Sequence, residues 1–276
     1  MSRRVQPKCI FLLLAASMAI GADAPTAAPK MTAAQIVDKN VAARGGLQAW
    51  RAVQTLSIAG KMDAGGNRDR ATLPMPGQQK LGKLPTNRPK DQVQLPFVLE
   101  MKRPRKSRLE IQFSGQTAIQ VYDGTKGWKL RPYLNRHEVE PFTPEEQKAA
   151  SMQADLDGPL ADYAGKGTKV ELDGVEKVDS RDTYRLKLTL KNGQEQRVWI
   201  DSQTFLEVKI DGTPRLLDGK YHAVAVYYRD YRQTKGLLVP YLLETVVDGV
   251  KDREKIMIET VAVNPSLDDS RFAKLQ

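Results

Sequence analysis

The chain has 276 residues, 43 of them Lys or Arg and 33 Asp or Glu, for a formal net charge of +10. A single cysteine excludes a disulfide within the chain. For a chain working outside the cytoplasm, such a basic balance points to anionic lipid surfaces or acidic proteins as partners and away from nucleic acid.

Arg3, Arg4 and Lys8 precede the apolar run Ile10 to Ile20, and Ala22-Asp23-Ala24 places small residues where a signal peptidase cuts. Residues 1–24 are therefore expected to be a cleaved secretory signal, leaving 25–276 to work outside the cytoplasm as one large β domain or two small ones. An uncleaved anchor is the alternative, but the run is shorter than the ~20 apolar residues a membrane span takes. Cys9 lies at the front of the run, whereas a lipidated cysteine would follow it, so no lipid attachment is expected.

Two helical regions follow. Thr32 with Gln35 makes a capping box, Ile36, Val37 and Val41 form an apolar stripe, and Gly45 supplies the stop; Leu47, Trp50 and Val53 continue at spacing three. Further along, Thr143, Pro144 and Glu146 repeat the capping signal, and Met152, Leu156 and Leu160, recurring every four residues, are expected to line one helical face as far as the Gly158-Pro159 break.

Nearly everything else alternates with period two. In "YRLKLTLK", Tyr184, Leu186, Leu188 and Leu190 face one way and the basic residues the other. Similar runs cover 54–62, 95–103, 106–113, 116–122, 168–177, 194–201, 204–210, 222–230, 237–247 and 252–263, with a shorter one at Trp128 to Arg131. Asp123-Gly124, Asn192-Gly193, Asp211-Gly212 and Asp248-Gly249 fit tight hairpin turns. The expected fold is mainly β, a largely antiparallel meander with a few helices. Residues 64–94, rich in Gly, Pro and basic side chains, read as a long mobile loop between the first two strands. In "YDGTKGWKL", Trp128 and Leu130 are expected on the sheet's apolar, inner side, against helix or ligand, and Lys129 and Arg131 on the other.

About eleven strands of ~8 residues present a face of roughly 1,400 Å². A helix of ~12 residues shades only about 180 Å² of it. Water-exposed apolar patches of that size are rare, so the sheet is expected to curl into a trough that keeps room for an apolar ligand. A two-sheet sandwich would fill the same space with its own side chains.

The segments "ARGGLQAWRAVQTLSIAGKM", "VLEMKRPRKSRLEIQFSGQTAIQVYDGTKGWKLRP", "ADLDGPLADYAGKG", "DYRQTKGLLVPYLLETVVDG" and "VAVNPSLDDSRFAKL" resemble, in this order, the LolA/LolB-type periplasmic outer membrane lipoprotein-sorting family. The resemblance implies that 25–276 is a single periplasmic domain, an unclosed antiparallel β-barrel, that is a half-barrel with a helical lid and a hydrophobic cavity for acyl chains. It implies a carrier taking lipoproteins, or another lipid, from an inner-membrane donor to an outer-membrane acceptor, as a monomer without cofactors. The family's Lys-Arg-Pro matches Lys102-Arg103-Pro104, which implies that Arg103 latches the lid; a solvated turn is the competing reading. Trp128, Leu130, Met152, Leu156, Leu160, Leu186 and Leu188 are the further candidates for contact with the ligand.

Chemistry has few candidates. His137 is expected in a solvated turn and His222 at the start of a strand, and no nucleophile elbow or zinc-protease motif appears. Asp268 and Asp269 read as solvated or as a cap, so no catalytic or metal site is assigned. A lipid- or stress-sensing module of the same fold and a secreted hydrolase remain the alternatives.

Overall fold

The computed structural model describes residues 31–64, 93–217 and 219–275. The chain divides into two units, Met1–Met31 and Thr32–Gln276, and the second is described here. The expected signal segment 1–24 lies outside the described residues, as does the expected loop 64–94 apart from its ends, where Ala64 closes the first strand and Val93 and Gln94 open the second.

Helix α1 (Ala33–Ala43) starts at Thr32, whose hydroxyl accepts from the Gln35 amide while the Gln35 side chain accepts from Thr32. This is the reciprocal box that satisfies two orphan donors. After Gly45 comes α2 (Leu47–Ala52). Gly45 has φ +114°, and a Cβ there would stand 2.4 Å from the Gly236 carbonyl oxygen. The turn between the helices therefore sits directly on backbone. Helix α3 (Pro144–Gln153) carries its own box between Thr143 and Glu146. It ends before Leu156 and Leu160, which lie in a following run of turns instead of on the expected helical face. The helix closes at its cap Ala154, and beyond it Gly158, with positive φ, and Pro159, which disfavours helical geometry in the residue before it, keep the chain in turns.

The strands are β1 (Thr55–Ala64), β2 (Val93–Lys102), β3 (Lys106–Phe113), β4 (Gln116–Tyr122), β5 (Gly127–Arg131), β6 (Arg136–Pro141), β7 (Lys169–Val178), β8 (Arg181–Thr189), β9 (Glu195–Asp201), β10 (Glu207–Asp211), β11 (Arg215–Leu217), β12 (Lys220–His222), β13 (Val224–Thr234), β14 (Leu237–Val247) and β15 (Glu254–Val263). Thirteen form one antiparallel sheet in the order β6-β5-β4-β3-β2-β1-β15-β14-β13-β10-β9-β8-β7. Because β6 and β7 do not pair, the sheet is an open half-barrel.

Three local expectations change. His137 lies within β6, although exposed. His222 ends β12 instead of opening a strand. Asp211-Gly212 makes no tight hairpin: the Gly212 amide bonds to the Val224 carbonyl, and the small β11–β12 hairpin is inserted between them. The turns at Asp123-Gly124, Asn192-Gly193 and Asp248-Gly249 do join adjacent strands.

Candidate functional site

Pairing register divides the sheet into two faces. Leu56, Met101, Val239 and Val263 share a face with Trp50 and Val53, the side chains that α2 and its end press onto the sheet. Call this the inner face. Further along the same strands, Met62, Leu95, Phe97, Ile111 and Ala118 form a second apolar cluster, with Ile58 and Leu99 bridging the two.

The helices cover the inner face unevenly. Helix α1 reaches β7, and Leu186 and Leu188 on the neighbouring strand have no exposed surface. Helix α3 lies over β4 and β5, where Ala150 and Ala154 pack on Tyr122. Between these flanks, Ile58, Leu99, Leu243, Ile256, Ile258 and Val261 remain only half-buried. Their strands have neighbours on both sides, so the residual exposure comes from room above the face itself.

The lid is tied down by ions. Arg103, in the β2–β3 turn, donates through Nε to the Val53 carbonyl at 2.8 Å and through Nη2 to the Trp50 carbonyl at 3.1 Å. These carbonyls lie at the end of α2, where the Trp50 oxygen also accepts from the Val53 amide at 3.2 Å, and the negative end of the helix dipole favours a cation. Nη2 also reaches Asp157 Oδ2 at 2.8 Å, in the turns after α3. Lys166 bridges Asp157 Oδ1 at 2.8 Å and Asp155 Oδ2 at 2.9 Å. Arg44, the last residue of the α1 end, bonds to Glu207 Oε1 at 3.0 Å and the Asp157 carbonyl at 3.3 Å, with its guanidinium 4.5 Å from the Trp50 ring. One network thus joins both helical segments to the β2–β3 turn and to β10.

Within it the two carboxyls part company. Burial raises Asp155 to about 6, helped by its hydrogen bond with Asp157 and opposed by Lys166. Burial also acts upward on Asp157, but hydrogen bonds from Asp155, Lys166 and Arg103 outweigh it and hold that carboxyl well below the usual range.

The expected residues divide accordingly. Arg103 contacts the lid. Met152 is half-buried on α3, and Leu156 is buried beside Trp50. Leu160, Leu186 and Leu188 have no exposed surface, which makes them packed interior. Trp128 and Leu130 correct the expected facing. They pair with Val121 and Ile119 on the outer face, while Lys129 and Arg131 point inward and are buried. Lys129 forms an ion pair with Glu146 of α3, and Arg131 Nη2 pairs with Glu140 at 2.5 Å. On the neighbouring strands β2 and β3 the outer face is covered by the C-terminal turn Asp269–Phe272, where Arg271 bonds to Glu100 at 2.6 Å and Phe272 is 1% exposed.

Sequence reasoning did not single out Ile58, Leu99, Leu243, Arg44, Asp155 or Asp157. "ADLDGPLADY" carried a signal for the last two, since acidic residues amid apolar ones at a helix end call for buried partners. Among the described residues, no three His, Cys, Asp or Glu side chains gather as a metal site requires. No described helix is long and apolar enough to cross a membrane.

No protein-family model and no curated protein matches this sequence. Solved structures do match in fold. A LolA superfamily protein from Nitrosomonas europaea aligns over 89% of this chain and 99% of its own, with TM-score 0.54 and 15% identity. A domain described as an outer membrane lipoprotein-sorting protein, from Vibrio parahaemolyticus, aligns over 88% and 96%, with TM-score 0.52 and 12% identity. A DUF1329 family protein from Desulfovibrio piger aligns over 86% and 95%, with TM-score 0.52 and 16% identity. The chain therefore has the LolA-type fold.

Proposed function

We propose that the protein is a non-enzymatic periplasmic carrier that shelters the acyl chains of lipoproteins, or of another lipid, on its inner face beneath the lid. The observation that carries this reading is the row of half-buried apolar side chains, Ile58, Leu99, Leu243, Ile256, Ile258 and Val261, on strands flanked by others. Acyl methylenes placed there leave water at about 0.8 kcal/mol each, enough for a chain of moderate length to hold the protein open. In this reading Arg103 latches α2 and the Asp157 turn over the empty face, and the latch yields as the chain enters. Delivery runs from an inner-membrane donor toward an outer-membrane acceptor, the direction suggested by the name of the lipoprotein-sorting domain of the same fold.

The test is lipid extraction and mass spectrometry of protein purified gently from its native envelope, paired with uptake of the hydrocarbon fluorophore diphenylhexatriene. Co-purified acyl lipid or lipoprotein, and saturable uptake, are expected. Protein that carries no lipid and takes up no fluorophore sinks the proposal.

A further inference from the structure

Tyr228 of β13 faces inward, since it pairs with Leu243, which pairs with Ile256, which belongs to the inner-face cluster. Burial pushes its hydroxyl well above the usual phenol range, with Glu207 adding to the rise and Arg44 opposing it. Yet the side chain is only half-buried. A residue that is deep and still accessible faces internal room. Three residues on, Tyr231 donates its hydroxyl to the Glu207 carbonyl at 3.0 Å and lies 3.2 Å from Glu207 Oε2. Tyr228 makes no hydrogen bond among the described residues. A tyrosine hydroxyl left without a protein partner at such a half-buried place is free to donate to a group that enters the space it faces.

The neighbouring charges select what that partner is. Arg44 and Glu207 neutralise each other at 3.0 Å, and the Glu207 carboxylate repels a phosphate or carboxylate. The Tyr228 hydroxyl stays protonated and can donate. What fits is a neutral acceptor attached to apolar chains.

We propose that Tyr228 is a binding residue for the acyl carbonyl, ester or amide, of the lipid held on the inner face. The hydroxyl donates to the carbonyl oxygen while the attached chain runs along Leu243 and Ile256. This subsite rests on the carrier reading above and adds to it a chemical preference.

The experiment compares two displacers of diphenylhexatriene that differ only at the carbonyl, dioleoylglycerol and its dioleyl ether counterpart, on the wild type and on Tyr228→Phe. Wild type is expected to prefer the ester by about 5- to 10-fold, the worth of one buried hydrogen bond. Tyr228→Phe is expected to treat ester and ether alike. An ester preference that persists in Tyr228→Phe overturns the subsite and leaves the carrier reading standing, as does a wild-type ratio near one, which is decisive even if the variant fails to fold. Wild type that takes up no fluorophore overturns both.

Discussion

Arg103 Nη2 stands 2.8 Å from Asp157 Oδ2, and Nε of the same guanidinium stands 2.8 Å from the Val53 carbonyl oxygen. One planar group therefore fastens the end of α2 to the turns beyond α3, two segments that the sequence separates by about a hundred residues. Substituting Arg103→Ala is expected to lower stability by about 1–3 kcal/mol, since Asp157 keeps Lys166 but loses a charged donor. Arg103→Lys keeps the charge without the fork and should recover only part of this. Urea midpoints measure both, and limited proteolysis near 155–166 should quicken in the alanine variant.

The Asp155 carboxyl gives the lid a pH dependence of defined sign. Its folded value of about 6 lies above the ordinary 3.8, so the folded chain binds this proton more tightly than the unfolded chain. The stability it contributes is full below pH ~4 and is lost as pH rises through about 6, on the order of 1–3 kcal/mol. Asp157, shifted downward, acts oppositely, and its contribution is lost only as pH falls below the ordinary carboxylate range. Asp155→Asn, which imitates the protonated form, should flatten the decline between pH 4 and 7. Denaturation at stepped pH checks it, and a wild-type slope unchanged in the variant would refute the assignment.

Room over the inner face can be probed by filling it. Leu99→Trp adds bulk where the side chain is half-buried, so its thermal midpoint should move by only a few degrees while diphenylhexatriene uptake falls about tenfold. Leu188→Trp adds the same bulk where nothing is exposed and should lower stability by about 1–3 kcal/mol. Equal destabilisation by the two would mean that the space above Leu99 is already packed.

The buried pair Lys129–Glu146, each side chain 5% exposed, holds α3 to β5. Lys129→Met strands the carboxylate and is expected to cost about 3–5 kcal/mol. Adding Glu146→Gln removes the stranded charge and still accepts from the Thr143 amide, so the double variant should regain much of the loss. A double-mutant cycle by chemical denaturation reads the difference.

The sequence by itself determined the elements and the class of fold. Period-two alternation marked nearly every strand because the pleat fixes side-chain parity locally. Thr32 with Gln35, and Thr143 with Glu146, announced the two principal helices because a capping box closes within four residues. Arg103 was singled out through the Lys-Arg-Pro resemblance, without knowledge of the carbonyls it meets.

Only the tertiary structure decided which parity faced inward. Alternation says that Trp128 and Leu130 share a side, but what covers that side arrives from distant chain: α3 over Lys129, the C-terminal turn over the other face of the neighbouring strands. The ion network was hidden for the same reason, since Arg44 and Glu207 lie 163 residues apart. Which charges become buried partners is set by how the sheet curls and where the helices land, and no local pattern encodes that.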